Sequence, residues 1–192
     1  MIFTHISAKV PNTEAEFLIN PYGFLFDEIT ASNLVKVDLK GKILSDTNNF
    51  INPAGFTIHS AIHEAREDAH CIVHLHSNDG VAVASLKEGL LPLSQTGMLV
   101  RSQVAYHDYE GVALFEEEKE RLVDDLGENK LMILRNHGTL AIGKHVAEAF
   151  TNIYFLEKAC TYQVRALSGN LDLNYPSAVS YTHLTLPTTY HV

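Results

Sequence analysis

Hydrophobic residues alternate with polar ones, or run unbroken for four or five positions, in several short stretches of this 192-residue chain. Such stretches predict β-strands, because successive side chains on a strand point to opposite faces. Two of the stretches contain an internal turn, at Lys40-Gly41 and at Asn136-His137-Gly138, so each predicts a pair of strands. The predicted strand segments are 2–10, 17–23, 34–44, 71–77, 103–109 and 130–143.

Apolar residues recur every three or four positions in other segments, a spacing that is typical of helices with one buried face. The predicted helical segments are 53–68, 79–89, 115–127 and 145–169. In the last helix, the residues expected on the buried side are Val146, Ala149, Phe150, Ile153, Leu156, Ala159 and Val164. Because short strand-to-strand steps are mixed with helices, the pattern favours an α/β sandwich around a mixed, largely antiparallel sheet.

Composition and charge narrow the classes of partner. The formal net charge of −9, without a cluster of Lys or Arg, argues against a nucleic-acid surface. No apolar run is long enough to span a bilayer, and the first ten residues lack the layout of a secretion signal. Cys71 and Cys160 are too few and too far apart to imply a disulfide framework, so a cytoplasmic location is expected.

Both ends of the chain look unusual. The string VSYTHLTLPT at Val179–Thr188 resembles the translation of a sequencing adapter, so residues 179–192 are expected to be a non-native read-through tail. The competing interpretation is a genuine Thr-rich tail with β propensity. Residues 171–178 are predicted to be an exit segment, and residues 1–170 a single domain that is truncated at its N-terminus.

Three histidines are candidate ligands for a metal ion. His74 and His76 lie on either side of Leu75 in a predicted strand, so their imidazoles should project from the same face. His-x-His alone is equally consistent with well-packed core histidines. His137, in a turn where Gly138 allows unusual backbone angles, offers a third ligand at a strand end. Together the three predict a divalent metal site, with zinc about 2.0–2.1 Å from each nitrogen.

Four segments in order resemble the class II aldolase/adducin family: residues 19–41, 59–77, 103–111 and 131–150. The resemblance covers about Ile2 to Gly169. It implies a three-layer α/β/α sandwich, assembled as a cyclic homotetramer with sites between subunits. In the sugar-phosphate aldolases of this family, zinc is held by histidines that match His74, His76 and His137. Members of this family usually carry helices before the first strand, which is why an N-terminal truncation is expected.

The chain departs from the aldolase pattern where the catalytic glutamate is expected. That position is Gly55, which cannot transfer a proton. The positions that hold the substrate phosphate in the aldolases match His5, Tyr22-Gly23 and Pro53-Ala54, so only Gly23 retains the pattern. This combination resembles the adducin-like branch. The candidates for acid–base work are His107, Asp108, Tyr109 and Glu110, together with His59 and His63, four apart on one helical face.

Two functions follow from these observations. The first is a metal-dependent lyase or isomerase acting on a small hydroxy-carbonyl compound without a phosphate, with zinc or another divalent metal as cofactor. The alternative is a non-catalytic interaction module, as in adducin, whose eukaryotic relatives serve the actin cytoskeleton. In both cases a homo-oligomer is expected, and neither nucleic acid nor membrane is an expected partner.

Overall fold

The computed structural model describes residues 3–13, 15–111, 116–169 and 171–177. Seven strands form one sheet in the order β3-β2-β1-β4-β7-β6-β5. Their bounds are β1 His5–Lys9, β2 Glu16–Ile19, β3 Val35–Asp38, β4 Cys71–Leu75, β5 Val104–His107, β6 Leu131–Leu134 and β7 Gly138–Gly143. Only the β5–β6 pair is parallel among the described strands, so the sheet is mixed and largely antiparallel, as predicted.

Five α-helices cover the two faces of this sheet. They are α1 Pro53–Ala65, α2 Asn78–Ala84, α3 Gln95–Arg101, α4 Glu116–Leu126 and α5 Val146–Leu167. One core cluster packs α1 and α4 on the face that carries Ile72 and Leu140. The other packs α2 and α5 on the face that carries Val73 and Ala141. Because neighbours along β4 and β7 point to opposite clusters, the molecule is the expected three-layer α/β/α sandwich.

Capping residues explain where helices α1 and α3 begin. Asn52 caps α1 by accepting a hydrogen bond from the backbone N–H of Ala54, and Pro53 takes the first helical position, where its missing N–H costs nothing. Ser94 caps α3 in the same way, through Gly97. Helix α3 is the one described helix that the hydrophobic pattern did not predict. Its buried residues are Gly97 and Val100, and a glycine adds no apolar side chain from which a period could be recognised.

One prediction about α5 was wrong. Val146 and Phe150 do not line the buried side: they are 60% and 63% exposed. The packed stripe is narrower and consists of Ala149, Ile153, Leu156, Ala159 and Cys160, with Val164 partly buried beside it. Successive helical residues are about 100° apart, so Phe150 lies well to the side of Ala149 although both are apolar. Hydrophobicity alone overestimated the width of the buried face.

Some sequence predictions fall outside the described residues. One is the read-through tail predicted at 179–192, which contains His183 and His191. Another is the first residue of the predicted helical segment 115–127. Within the residues described, no helix combines the length and the apolar character that crossing a bilayer would require.

Candidate metal centre

The three predicted histidines converge on one point. His74 lies in β4, His76 follows its last residue, and His137 lies in the turn between β6 and β7. The Nε2 atom of His74 is 2.8 Å from Nε2 of His76 and 3.3 Å from Nε2 of His137. One nitrogen from each ring lies within 4.8 Å of the others. Among the described residues, this is the one group of three or more candidate ligands that meets that criterion.

The separations fit a shared cation. Two nitrogens bound to one tetrahedral zinc at the usual bond length are about 3.3 Å apart. The His74–His137 separation matches this value, and the His74–His76 separation is somewhat shorter. Three imidazole nitrogens facing each other at this distance carry lone pairs that repel unless a proton or a metal lies between them. The donor set of three imidazoles suits zinc and related divalent metals, with room for a further ligand.

The backbone of β7 fixes the tautomer of His74. The Nδ1 atom of His74 is 2.9 Å from the carbonyl oxygen of Thr139, which can only accept, so Nδ1 donates and Nε2 keeps its lone pair. Burial lowers the pKa of His74 well below its usual value, and the charges of His137 and His76 lower it further. Burial also lowers the pKa of His76, and it lowers that of His137 to about 4. All three rings are therefore neutral and able to bind a metal at neutral pH.

A glutamate on α5 connects the two segments that carry the ligands. Ser77, next to His76, donates its hydroxyl to one carboxylate oxygen of Glu157, and Thr139 donates to the other. The carbonyl of the same Thr139 binds His74. Glu157 therefore ties the end of β4 to the start of β7. No pattern in the sequence indicates this role, because Glu157 occupies an ordinary position in a long helix.

Two backbone features place His137. Asn136 has a φ of 56°, in the left-handed region, which turns the chain sharply before the histidine. Gly138 follows, and a Cβ atom at this residue would overlap the carbonyl oxygen of Leu75 in β4. Glycine thus lets the turn approach β4 closely enough for His137 to reach His74 and His76.

The histidines lie at the wall of a cavity of about 320 Å³. His5, Asn52, Ala54, Gly55 and Tyr109 are among the other residues that line it. This size is enough for a small molecule but not for a large one. None of the described residues that line the cavity is Lys or Arg.

The four candidates for acid–base work at residues 107–110 lie in different surroundings. Tyr109 borders the cavity and is largely exposed. The carboxylate of Glu110 forms an ion pair with Arg121, with a distance of 2.7 Å from Oε1 to Nε, and lies outside the histidine cluster. His107 is buried at the end of β5, where its Nδ1 is 2.7 Å from Asp125 Oδ2. Asp108 is exposed, with Arg135 Nε 3.7 Å away. A catalytic role for any of these residues stays a prediction.

Comparison with known proteins gives the family. Residues 1–164 match the family described as the Class II Aldolase and Adducin N-terminal domain. A class 2 aldolase family protein of Caulobacter vibrioides is 63% identical over 90% of this chain, which spans 67% of that protein. Alpha-adducin of Rattus norvegicus is 48% identical over 88% of the chain, which spans only 23% of that protein.

The fold agrees with a solved structure. An aldolase II superfamily protein from Pseudomonas syringae superimposes with a TM-score of 0.91 and 51% identity, over 95% of this chain and 75% of that one. The match includes the sandwich that carries the three histidines. The chain belongs to the class II aldolase and adducin family.

Proposed function

We propose that this chain is the metal-binding domain of an enzyme that acts on a small hydroxy-carbonyl compound without a phosphate group, as a lyase or an isomerase. The observation that carries this proposal is the convergence of three neutral imidazoles at the wall of a small cavity. Three protein ligands with an open position are typical of catalytic rather than structural zinc sites. The proposed metal is zinc or another divalent ion.

His74, His76 and His137 would hold the metal, and Thr139 and Glu157 would keep the rings oriented. When bound, the metal would polarise an oxygen of the ligand and stabilise negative charge that develops there. The cavity walls would keep most bulk water away from the bound compound.

A phosphate on the substrate is disfavoured by the composition of the cavity. A phosphate group carries close to two negative charges and is usually held by Arg, Lys or several backbone N–H groups. The described lining offers no cationic side chain of this kind. Gly55 also supplies no carboxylate where the aldolases carry their base. We therefore expect cleavage of fuculose-, rhamnulose- and ribulose-type phosphates to be negligible.

The second candidate function is a non-catalytic interaction module, favoured by 48% identity to an adducin. We further propose a cytoplasmic homotetramer for both functions: the small number and wide separation of the cysteines support the location, and the family resemblance supports the assembly.

Metal content tests the enzyme proposal. The purified chain should contain about one zinc or similar ion, and each single change of His74, His76 or His137 to Ala should remove most of it. His70→Ala is the matched control, because His70 is exposed and outside the cluster. A chain that binds no divalent metal under any loading condition would exclude the enzyme proposal and leave the interaction module.

A further inference from the structure

Two buried histidines behind the metal centre have ring nitrogens without partners. His5, at the start of β1, is 2% exposed, and neither of its ring nitrogens makes a hydrogen bond. His59, on α1, is fully buried, and its Nε2 has no partner either. The two rings are edge to face, with centroids 6.0 Å apart. Buried polar atoms without partners are rare in folded proteins, because each one loses its hydrogen bonds to water.

A chain of hydrogen bonds fixes the proton on His59. The carbonyl of Ala69 can only accept, so Nδ1 of His63, 2.8 Å away, carries a proton. Burial lowers the pKa of His63 to about 4, so the ring is neutral and its Nε2 accepts from the hydroxyl of Ser7 at 2.7 Å. The oxygen of Ser7 then accepts from Nδ1 of His59 at 2.5 Å. His59 Nε2 is left with a lone pair, on the side where it lacks a partner.

His5 is held at the cavity wall by a neighbour without a side chain. A Cβ atom at Gly55 would lie 2.5 Å from both Nδ1 and Cε1 of His5, far inside normal contact distance. The ring of His5 therefore occupies the space that a side chain at residue 55 would need. This arrangement presents an imidazole, in place of a carboxylate, to the same cavity as the metal-binding histidines.

We infer that His5 is a specificity-determining residue, whose ring binds an uncharged hydroxyl group of the ligand. This inference rests on the proposed function, because it concerns a ligand at the same metal centre. A neutral imidazole has one donor and one acceptor nitrogen. A hydroxyl group can satisfy either nitrogen, since it both donates and accepts. A phosphate or carboxylate only accepts, so it would leave the acceptor nitrogen of the imidazole unsatisfied, and the described lining offers it no Lys or Arg.

The test measures ligand binding separately from metal binding. The zinc-loaded chain is titrated with dihydroxyacetone and, in parallel, with dihydroxyacetone phosphate, by isothermal calorimetry. We expect the unphosphorylated compound to bind more tightly. His5→Phe keeps a ring of similar size but removes both nitrogens, and it should weaken binding of dihydroxyacetone about tenfold, as expected for one lost buried hydrogen bond. Zinc content should stay unchanged.

Two further variants control for misfolding and for non-specific effects of replacing a histidine. His5→Asn keeps a donor and an acceptor and should retain most of the affinity, which also covers the case in which the Phe variant does not fold. His70→Phe changes an exposed histidine in the same way and should have no effect. Equal affinities for wild type and His5→Phe at full zinc occupancy would overturn the inference, as would absent binding or tighter binding of the phosphate. Failure to bind zinc would instead refute the proposed function, and this inference with it.

Discussion

Because Gly55 and His5 are in contact, we expect substitutions at these two residues to have non-additive effects on the free energy of unfolding. Replacing Gly by Ala inside a helix normally stabilises a protein by about 1 kcal/mol, because Ala restricts the unfolded chain and suits the helix. Gly55 lies in the first turn of α1 and has a φ outside the left-handed region, so its backbone accepts Ala. The added Cβ would nevertheless lie 2.5 Å from two ring atoms and 2.8 Å from Cγ of His5.

The ring of His5 is buried and cannot rotate into solvent. Relief of the overlap must therefore push the ring toward the cavity that it lines or displace β1 or α1, and overpacking of this kind costs about 1–3 kcal/mol. We expect Gly55→Ala to change the free energy of unfolding by about zero to 2 kcal/mol in the destabilising direction. In the His5→Ala background the overlap is gone, and the same change should stabilise by about 1 kcal/mol. The coupling energy between the two positions should then be about 1–3 kcal/mol.

Urea unfolding of the four chains, followed by circular dichroism with the metal removed by a chelator, measures this coupling directly. Gly111→Ala is unsuitable as a control because of its positive φ, whereas Ser85→Ala, at the exposed end of α2, is suitable. Additive effects of Gly55→Ala and His5→Ala would refute the reasoning, because they would show that the two residues do not compete for the same space.

Three further predictions concern the centre and its surroundings. Glu157→Gln cannot accept both hydroxyl protons from Ser77 and Thr139, so zinc affinity should fall about tenfold in competition with a chromophoric chelator, whereas Glu148→Gln on the same helix should leave it unchanged. Because the pKa of His63 is about 4 in the folded chain and about 6.5 when unfolded, the unfolded state binds more protons between these values. The stability of the metal-free chain should therefore fall as pH decreases from about 6.5 to 4; a His63→Gln chain should show a shallower decline, and an equal decline would contradict the assigned pKa. Coupled assays on metal-loaded protein should detect negligible cleavage of sugar phosphates, also after Gly55→Glu, since the larger side chain would collide with His5; robust turnover by the unmodified chain would refute this.

The sequence predicted the sheet and pointed to the three histidines that the fold brings together, because both depend on local patterns. Short alternating or continuous apolar runs located all seven strands, but the second strand predicted within 34–44 is reduced to an isolated bridge between Val37 and Ile43. The two-residue spacing placed His74 and His76 on one side of the chain at the end of β4. The turn before Gly138 pointed to His137 as the third candidate ligand, and the resemblance to the family supplied the three-layer arrangement. The strands and the three histidines can be predicted from the period of a strand and the position of a turn.

What the sequence did not predict depends on contacts between distant segments. Ser7 joins His59 and His63 across 52 and 56 positions, and Glu157 joins Ser77 and Thr139 across the interface of a helix and the sheet. In the sequence, His5 is recognisable only as the match to a phosphate-binding position, and its competition with a side chain at residue 55 depends on the packing of β1 against α1. Long-range packing of this kind leaves no period along the chain.

The close approach of Gly138 to β4 affects how metal sites should be recognised in related sequences. A relative could retain all three histidines and still fail to bind metal, because any side chain at this position would push the turn away from Leu75. Histidine content alone is therefore an insufficient criterion for annotating the centre. The glycine after the third histidine, which binds nothing itself, should be required as well.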